Sequence, residues 1–144
     1  MRNILYTIAI CLFLTTSCTF EVSDNGDLDG YWQLSAVDTL SNQQCVNMRD
    51  SGIFWAIQYE KLVARSVNPI GEVIFNFQKT TDLLILSNPY ILYRDSSDIK
   101  ITNPDLLRKY GVNNLEEQFR IVSLDDSRMI LETEMLRQRL SSRK

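Results

Sequence analysis

Tyr31-Trp32-Gln33-Leu34-Ser35-Ala36-Val37 alternates, with Trp32, Leu34 and Ala36 sharing one side. Successive side chains of a strand point to opposite faces, so a period of two predicts a half-buried strand, and this one opens the folded domain. Downstream, 53–59 is apolar on both faces and 62–67 reads as its partner across Glu60-Lys61. Asn68-Pro69-Ile70-Gly71 then breaks the chain. Val73, Phe75 and Phe77 share one face of 72–78; Lys79 to Asp82 turns, and 83–86 returns to complete a hairpin. Short strands are expected at 90–94 and 99–102. A second hairpin joins 119–124 to 128–133 across Asp125-Asp126-Ser127, and a last strand covers 136–140.

One segment has helical punctuation. In Asn103-Pro104-Asp105-Leu106-Leu107-Arg108-Lys109-Tyr110-Gly111, Asn supplies a capping oxygen, Pro takes the first helical position, and Gly ends the run. Asp lies at the positive end of the dipole, with Arg and Lys near the negative end. At about two turns the helix is marginal alone, so Leu106, Leu107 and Tyr110 are expected to dock on the strands, covering an opening or plugging an end. Eight or nine strands with one short helix predict an all-β fold, a small antiparallel up-and-down barrel whose closure removes unpaired edges. A two-sheet sandwich is the alternative.

The 144 residues are 44% hydrophobic and 23% charged, which fits one globular domain. The chain has no histidine, so imidazole general bases, Ser-His-Asp and Cys-His constellations and His-ligated metals are excluded. A net charge of −3 argues against nucleic acid, which requires clustered positive charge. No Gly-rich phosphate loop, CxxC pair or spaced ligand set occurs, so no cofactor and no metal are expected. The pairs Glu116-Glu117 and Asp125-Asp126 read as turn or solvated-face residues, because neighbours on a strand point apart. Catalysis is not expected.

Residues 1–17 read as an export signal: Arg2, then an apolar run from Ile4 to Leu14, then Thr15-Thr16-Ser17 before Cys18. A membrane-spanning helix needs roughly 20 apolar residues, more than this run supplies. Of the three cysteines, Cys11 would leave with the signal; an unmodified Cys18 could bond to Cys45, whereas a modified Cys18 leaves Cys45 alone, and Cys45 is then expected to be buried in apolar surroundings. Residues 18–28 form an acidic tether, and 29–144 the barrel domain. Residues 18–48 carry −5 and residues 49–144 carry +1.

Ser17-Cys18 resembles a bacterial lipobox, which implies acylation of Cys18 and membrane attachment through two or three acyl chains. The acids that follow resemble the export tag of outer-membrane lipoproteins in Bacteroidota, so the implied address is the bacterial cell envelope, at its outer membrane. Gly30-Tyr31-Trp32 resembles the G-x-W motif that starts the first lipocalin strand. The run Leu-Leu-Arg-Lys-Tyr-Gly-Val at 106–112, Phe119-x-Ile121, Met129-x-Leu131 and Leu136-Arg137 complete a layout similar to small lipocalin-like lipoproteins. That resemblance implies that Arg137 or Arg139, from the last strand, lies over the Trp32 indole where the barrel closes.

Two readings of function follow. In the first, a non-catalytic module holds a small apolar or amphipathic ligand among Leu34, Phe75, Phe77, Phe119, Ile121, Met129 and Leu131, although the same residues can simply be core. In the second, an accessory lipoprotein with a filled barrel binds an envelope protein through an outward patch of Ile53, Trp55, Ile57 and Tyr59, unless the segment 103–111 covers that patch.

Overall fold

The computed structural model describes residues 23–67, 71–93 and 95–143. Cys18, the export signal and the first part of the tether lie outside the described residues. The strands are β1 (Gly30–Thr39), β2 (Cys45–Asn47), β3 (Phe54–Gln58), β4 (Lys61–Arg65), β5 (Glu72–Lys79), β6 (Leu83–Leu92), β7 (Ile99–Lys100), β8 (Glu117–Leu124), β9 (Arg128–Glu132) and β10 (Leu136–Ser142). Eight of them, all but β2 and β7, form a closed antiparallel barrel in the order β1-β3-β4-β5-β6-β8-β9-β10. Closure comes from β1 pairing with β10, from Trp32 opposite Ser142 to Thr39 opposite Leu136.

Ten-residue β1 has two neighbours on its other side. Gly30–Gln33 pairs with β3, and Ala36–Asp38 pairs with the short β2, the change falling at a bulge between Leu34 and Ala36. A bulge adds a residue to one strand and sharpens its twist, as a small barrel requires. Here it turns Ala36 outward beside Arg139, off the face it was expected to share with Trp32 and Leu34. Two further bulges lie on the β5–β6 and β8–β9 ladders.

Three sequence expectations need correction here. The stretches 83–86 and 90–94 are not separate strands, because β6 runs from Leu83 to Leu92 through Pro89. Proline is tolerated because it sits in the irregular stretch, beside Asn88 at φ 50°, where β6 exchanges β8 for β7 as its neighbour. The helix is a seven-residue 3-10 helix, Pro104–Tyr110, closed by Gly111 at φ 80°. At about 2.0 Å per residue it spans roughly 14 Å, against about 10 Å for an α-helix of equal length, which suits a strap across the barrel mouth. Leu107 and Tyr110 dock as expected, whereas Leu106 faces solvent.

The Asp125 turn between β8 and β9 behaves as the sequence reads. Its Oδ1 accepts from Ser127 N–H, Ser127 Oγ–H and Arg128 N–H. These bonds, chiefly that from the Ser127 hydroxyl, favour the carboxylate and lower its pKa to about 2. A depressed acid pKa contributes stability that is complete above the unfolded value, near 4, and is lost as the pH falls through about 2. Denaturant unfolding followed from pH 5 to pH 2 is therefore expected to lose part of its acid-dependent slope in Asp125→Asn.

Candidate functional site

The barrel interior is packed. Leu34, Phe75, Phe77, Phe119, Met129 and Leu131 all lie in one continuous buried cluster, while Ile121 packs partly buried against its edge. Trp32 and Trp55 stand opposite each other on β1 and β3, and the Trp55 ring lies tilted against Phe119 with centroids 5.9 Å apart.

Both mouths are stoppered. At the end where β1 begins, a single 3-10 turn, Gly26–Leu28, inserts Leu28 with no exposed surface, and Trp32 Nε1–H donates to its carbonyl at 2.9 Å. The described part of the acidic tether is thus built into the barrel: Asn25 Nδ2–H donates to Tyr59 O at 2.5 Å, and Tyr59 N–H donates to Ser23 Oγ at 2.9 Å. At the other end the strap Pro104–Tyr110 seats Leu107 and Tyr110, followed by Val112. Three hydrogen bonds tie it down: Trp55 Nε1–H to Tyr110 O at 2.7 Å, Tyr110 O–H to Gly71 O at 2.8 Å, and Gln138 Nε2–H to Gly111 O at 2.6 Å. Gly111 is required here, since its φ is positive and a Cβ would stand 3.4 Å from Leu34 Cδ2. Beneath the strap, Gln138 Oε1 is buried and has no hydrogen-bond partner among the described residues.

The expected outward patch is not on the surface. Ile53, Trp55 and Ile57 are buried, and only Tyr59 is exposed, at the β3–β4 turn with φ 55°. With both faces of this strand apolar, the pattern leaves its orientation open, and a one-residue shift of parity exchanges every side chain between core and solvent. The outward residues are Phe54 and Ala56; Phe54 stacks flat on Tyr31 at 5.1 Å. Beside them, an open groove of about 820 Å³ is lined by residues including Tyr31, Ala56, Tyr59, Lys61 and Val63.

Closure of β1 on β10 is as expected, but the arginine over the indole is not present. Gln138 and Leu140 take the inward positions of β10, leaving Arg137 and Arg139 outside, on the face opposite Trp32. Arg137 and Arg120 both bind the Glu132 carboxylate, whose pKa is lowered, chiefly by the bond from Arg137. Arg139 binds Asp38 at 2.6 Å. Arg137→Ala and Arg139→Ala are therefore each expected to leave the tryptophan emission maximum unchanged; a shift to the red would place a guanidinium on the indole.

Cys45 is exposed, not buried, because β2 is a three-residue flap on the barrel exterior. Its Sγ lies 3.2 Å from an Arg139 amino group, and a hydrogen bond with Asp38 raises the thiol pKa. Glu117, expected at a turn or on a solvated face, is buried instead. Its carboxylate is buried and accepts from Asn113 N–H, Asn114 N–H and Asn114 Nδ2–H, holding the chain that leads from the strap into β8. Asn-Asn three to four residues before an acid is the signal that was available. Glu116, its neighbour, is exposed as expected. No group of three His, Cys, Asp or Glu side chains converges as a metal site among the described residues.

A closed, filled eight-stranded barrel with a strap over one mouth and a turn in the other defines a small barrel of the lipocalin type. The chain belongs to the lipocalin-like domain family, whose model matches residues 11–144. A lipocalin-like protein from Bacteroides uniformis superposes with a TM-score of 0.63 at 16% identity, over 82% of this chain and 100% of that one. An uncharacterized protein from Bacteroides eggerthii gives 0.59 at 17% identity, over 80% of this chain and 98% of that one. At these identities the likeness is one of fold. A search of curated proteins finds no match.

Proposed function

We propose that this protein is a non-catalytic binding module of the bacterial cell envelope, lipid-anchored at Cys18 in the outer membrane, which engages an envelope protein through its outer surface. The observation that carries this reading is the occupied interior. Leu28 fills one mouth, the strap fills the other, and Trp32, Trp55, Phe75 and Phe119 take up the space between. Interiors packed in this way leave no room for cargo unless the structure opens, so recognition falls to the exterior. The anchor reading rests on Ser17-Cys18 after a short apolar run.

A second reading, a small apolar or amphipathic ligand held inside, is favoured by one observation, the unpartnered Gln138 Oε1 beneath the strap. A ligand with a donor group and an apolar body would satisfy that acceptor once the strap lifts. Native mass spectrometry of the full-length protein extracted from membranes separates the two. The first reading expects the mass of the acylated chain with no further small molecule, and a stoichiometric lipid adduct beyond the covalent acyl groups would replace it with the second. Labelling with an alkyne analogue of palmitate, compared with Cys18→Ser, tests the anchor independently; an unlabelled wild-type chain removes it.

A further inference from the structure

Ala36 occupies the centre of a cross-strand row on the outer surface, with Arg139 of β10 on one side and Asn47 of β2 on the other. A methyl group between two long side chains leaves a hollow. Its volume is about 330 Å³, and its lining is Ser35, Ala36, Cys45, Asn47, Arg49 and Arg139. Two arginines line it and no acidic residue does, although the Asp38 carboxylate bonds to two of the lining side chains, Arg139 and Cys45. Asp38 and the Cys45 sulfur both engage one amino nitrogen of Arg139, and a guanidinium has further donors on its other two nitrogens. Arg49 has its backbone fixed at both ends: its N–H donates to Asn47 Oδ1 at 3.0 Å, and its carbonyl accepts from Gln33 Nε2–H at 2.9 Å. With Asn47 Oδ1 engaged, the donor end of that amide remains for a ligand.

We propose that this hollow binds a tetrahedral oxyanion, the phosphate or sulfate group of a ligand, clamped between Arg49 and Arg139 with Asn47 as a third donor. Guanidinium forks match such groups in geometry as well as charge. The chain as a whole carries −3, so attraction is confined to the hollow and is not a long-range steering effect. The site goes beyond the outer-surface reading, because its ligand is an oxyanion and not a protein, and it stands or falls separately from that reading and from the filled interior.

Cys45 is a built-in reporter, since its exposed thiol lines the same hollow. The experiment is alkylation of full-length protein in neutral detergent by iodoacetamide, an uncharged reagent, at constant ionic strength. Labelling of Cys45 is read by peptide mass spectrometry as inorganic phosphate is raised. The expected result is saturable protection, at least about fivefold, with a midpoint on the order of 1 mM, moved about tenfold higher by Arg49→Gln. Ala36→Leu fills the hollow and keeps its charges, and is expected to abolish the phosphate dependence. Arg49→Gln changes a surface side chain, so an unaltered melting midpoint separates loss of binding from loss of fold. In a second arm, protein in phosphatidylcholine vesicles is compared with and without phosphatidic acid, in the absence of free phosphate. Protection there places the oxyanion on a lipid, and protection by free phosphate alone places it on a soluble ligand. No protection in either arm, or protection unchanged in Arg49→Gln, overturns the proposal.

Discussion

Trp55→Ala is expected to destabilise the barrel by about 3–5 kcal/mol, the usual range for deleting a fully buried large aromatic. The indole has no exposed surface, lies against Phe119, and donates from Nε1 to Tyr110 O. Alanine removes the packing and leaves the Tyr110 carbonyl without this donor in the core. Trp55→Phe keeps most of the ring contacts and is expected to lose about 1 kcal/mol through the hydrogen bond alone. Tyr59→Ala, at an exposed turn of the same strand pair, is expected to cost less than about 1 kcal/mol. Urea unfolding of the three variants tests the inward placement directly. An outward Trp55 would make all three nearly neutral.

Glu117→Ala is expected to cost about 2–3 kcal/mol, because one carboxylate serves two backbone N–H groups and the Asn114 amide in a buried position. The loss should be local before it is global. Hydrogen exchange at the Asn113 and Asn114 amides is expected to accelerate well below the unfolding midpoint, since the chain between strap and β8 loses what holds it. Glu116→Ala, on the solvent side, is expected to leave both exchange and stability unchanged. Equal effects at the two positions would show that residue 117 is not the anchor.

The residue pattern reads well wherever the physics is local. Alternation identified β1, and the Asn103 cap, Pro104 and Gly111 marked the strap within a residue at each end. The Asp125 turn needed only its own hydrogen bonds. The closed barrel itself also followed, because many short amphipathic strands with few helices have few ways to hide their edges. Other features were illegible for definite reasons. An apolar strand with both faces alike, 53–59, carries no information about its own parity. A lone cysteine does not reveal whether its strand joins the barrel or forms a flap outside it, and Arg137 and Arg139 carry no mark of which face β10 turns inward.

Sequence by itself therefore determined the class of fold, the positions of most strands and the punctuation of the strap, since backbone geometry and period-two patterning act over a few residues. Tertiary structure alone decided the facing of β3 and β10, the burial of Glu117 and the hollow over Ala36. Each of these depends on cross-strand register between segments far apart in the chain, Ala36 beside Arg139 being the clearest case, and register is set only when the whole barrel closes on a common core.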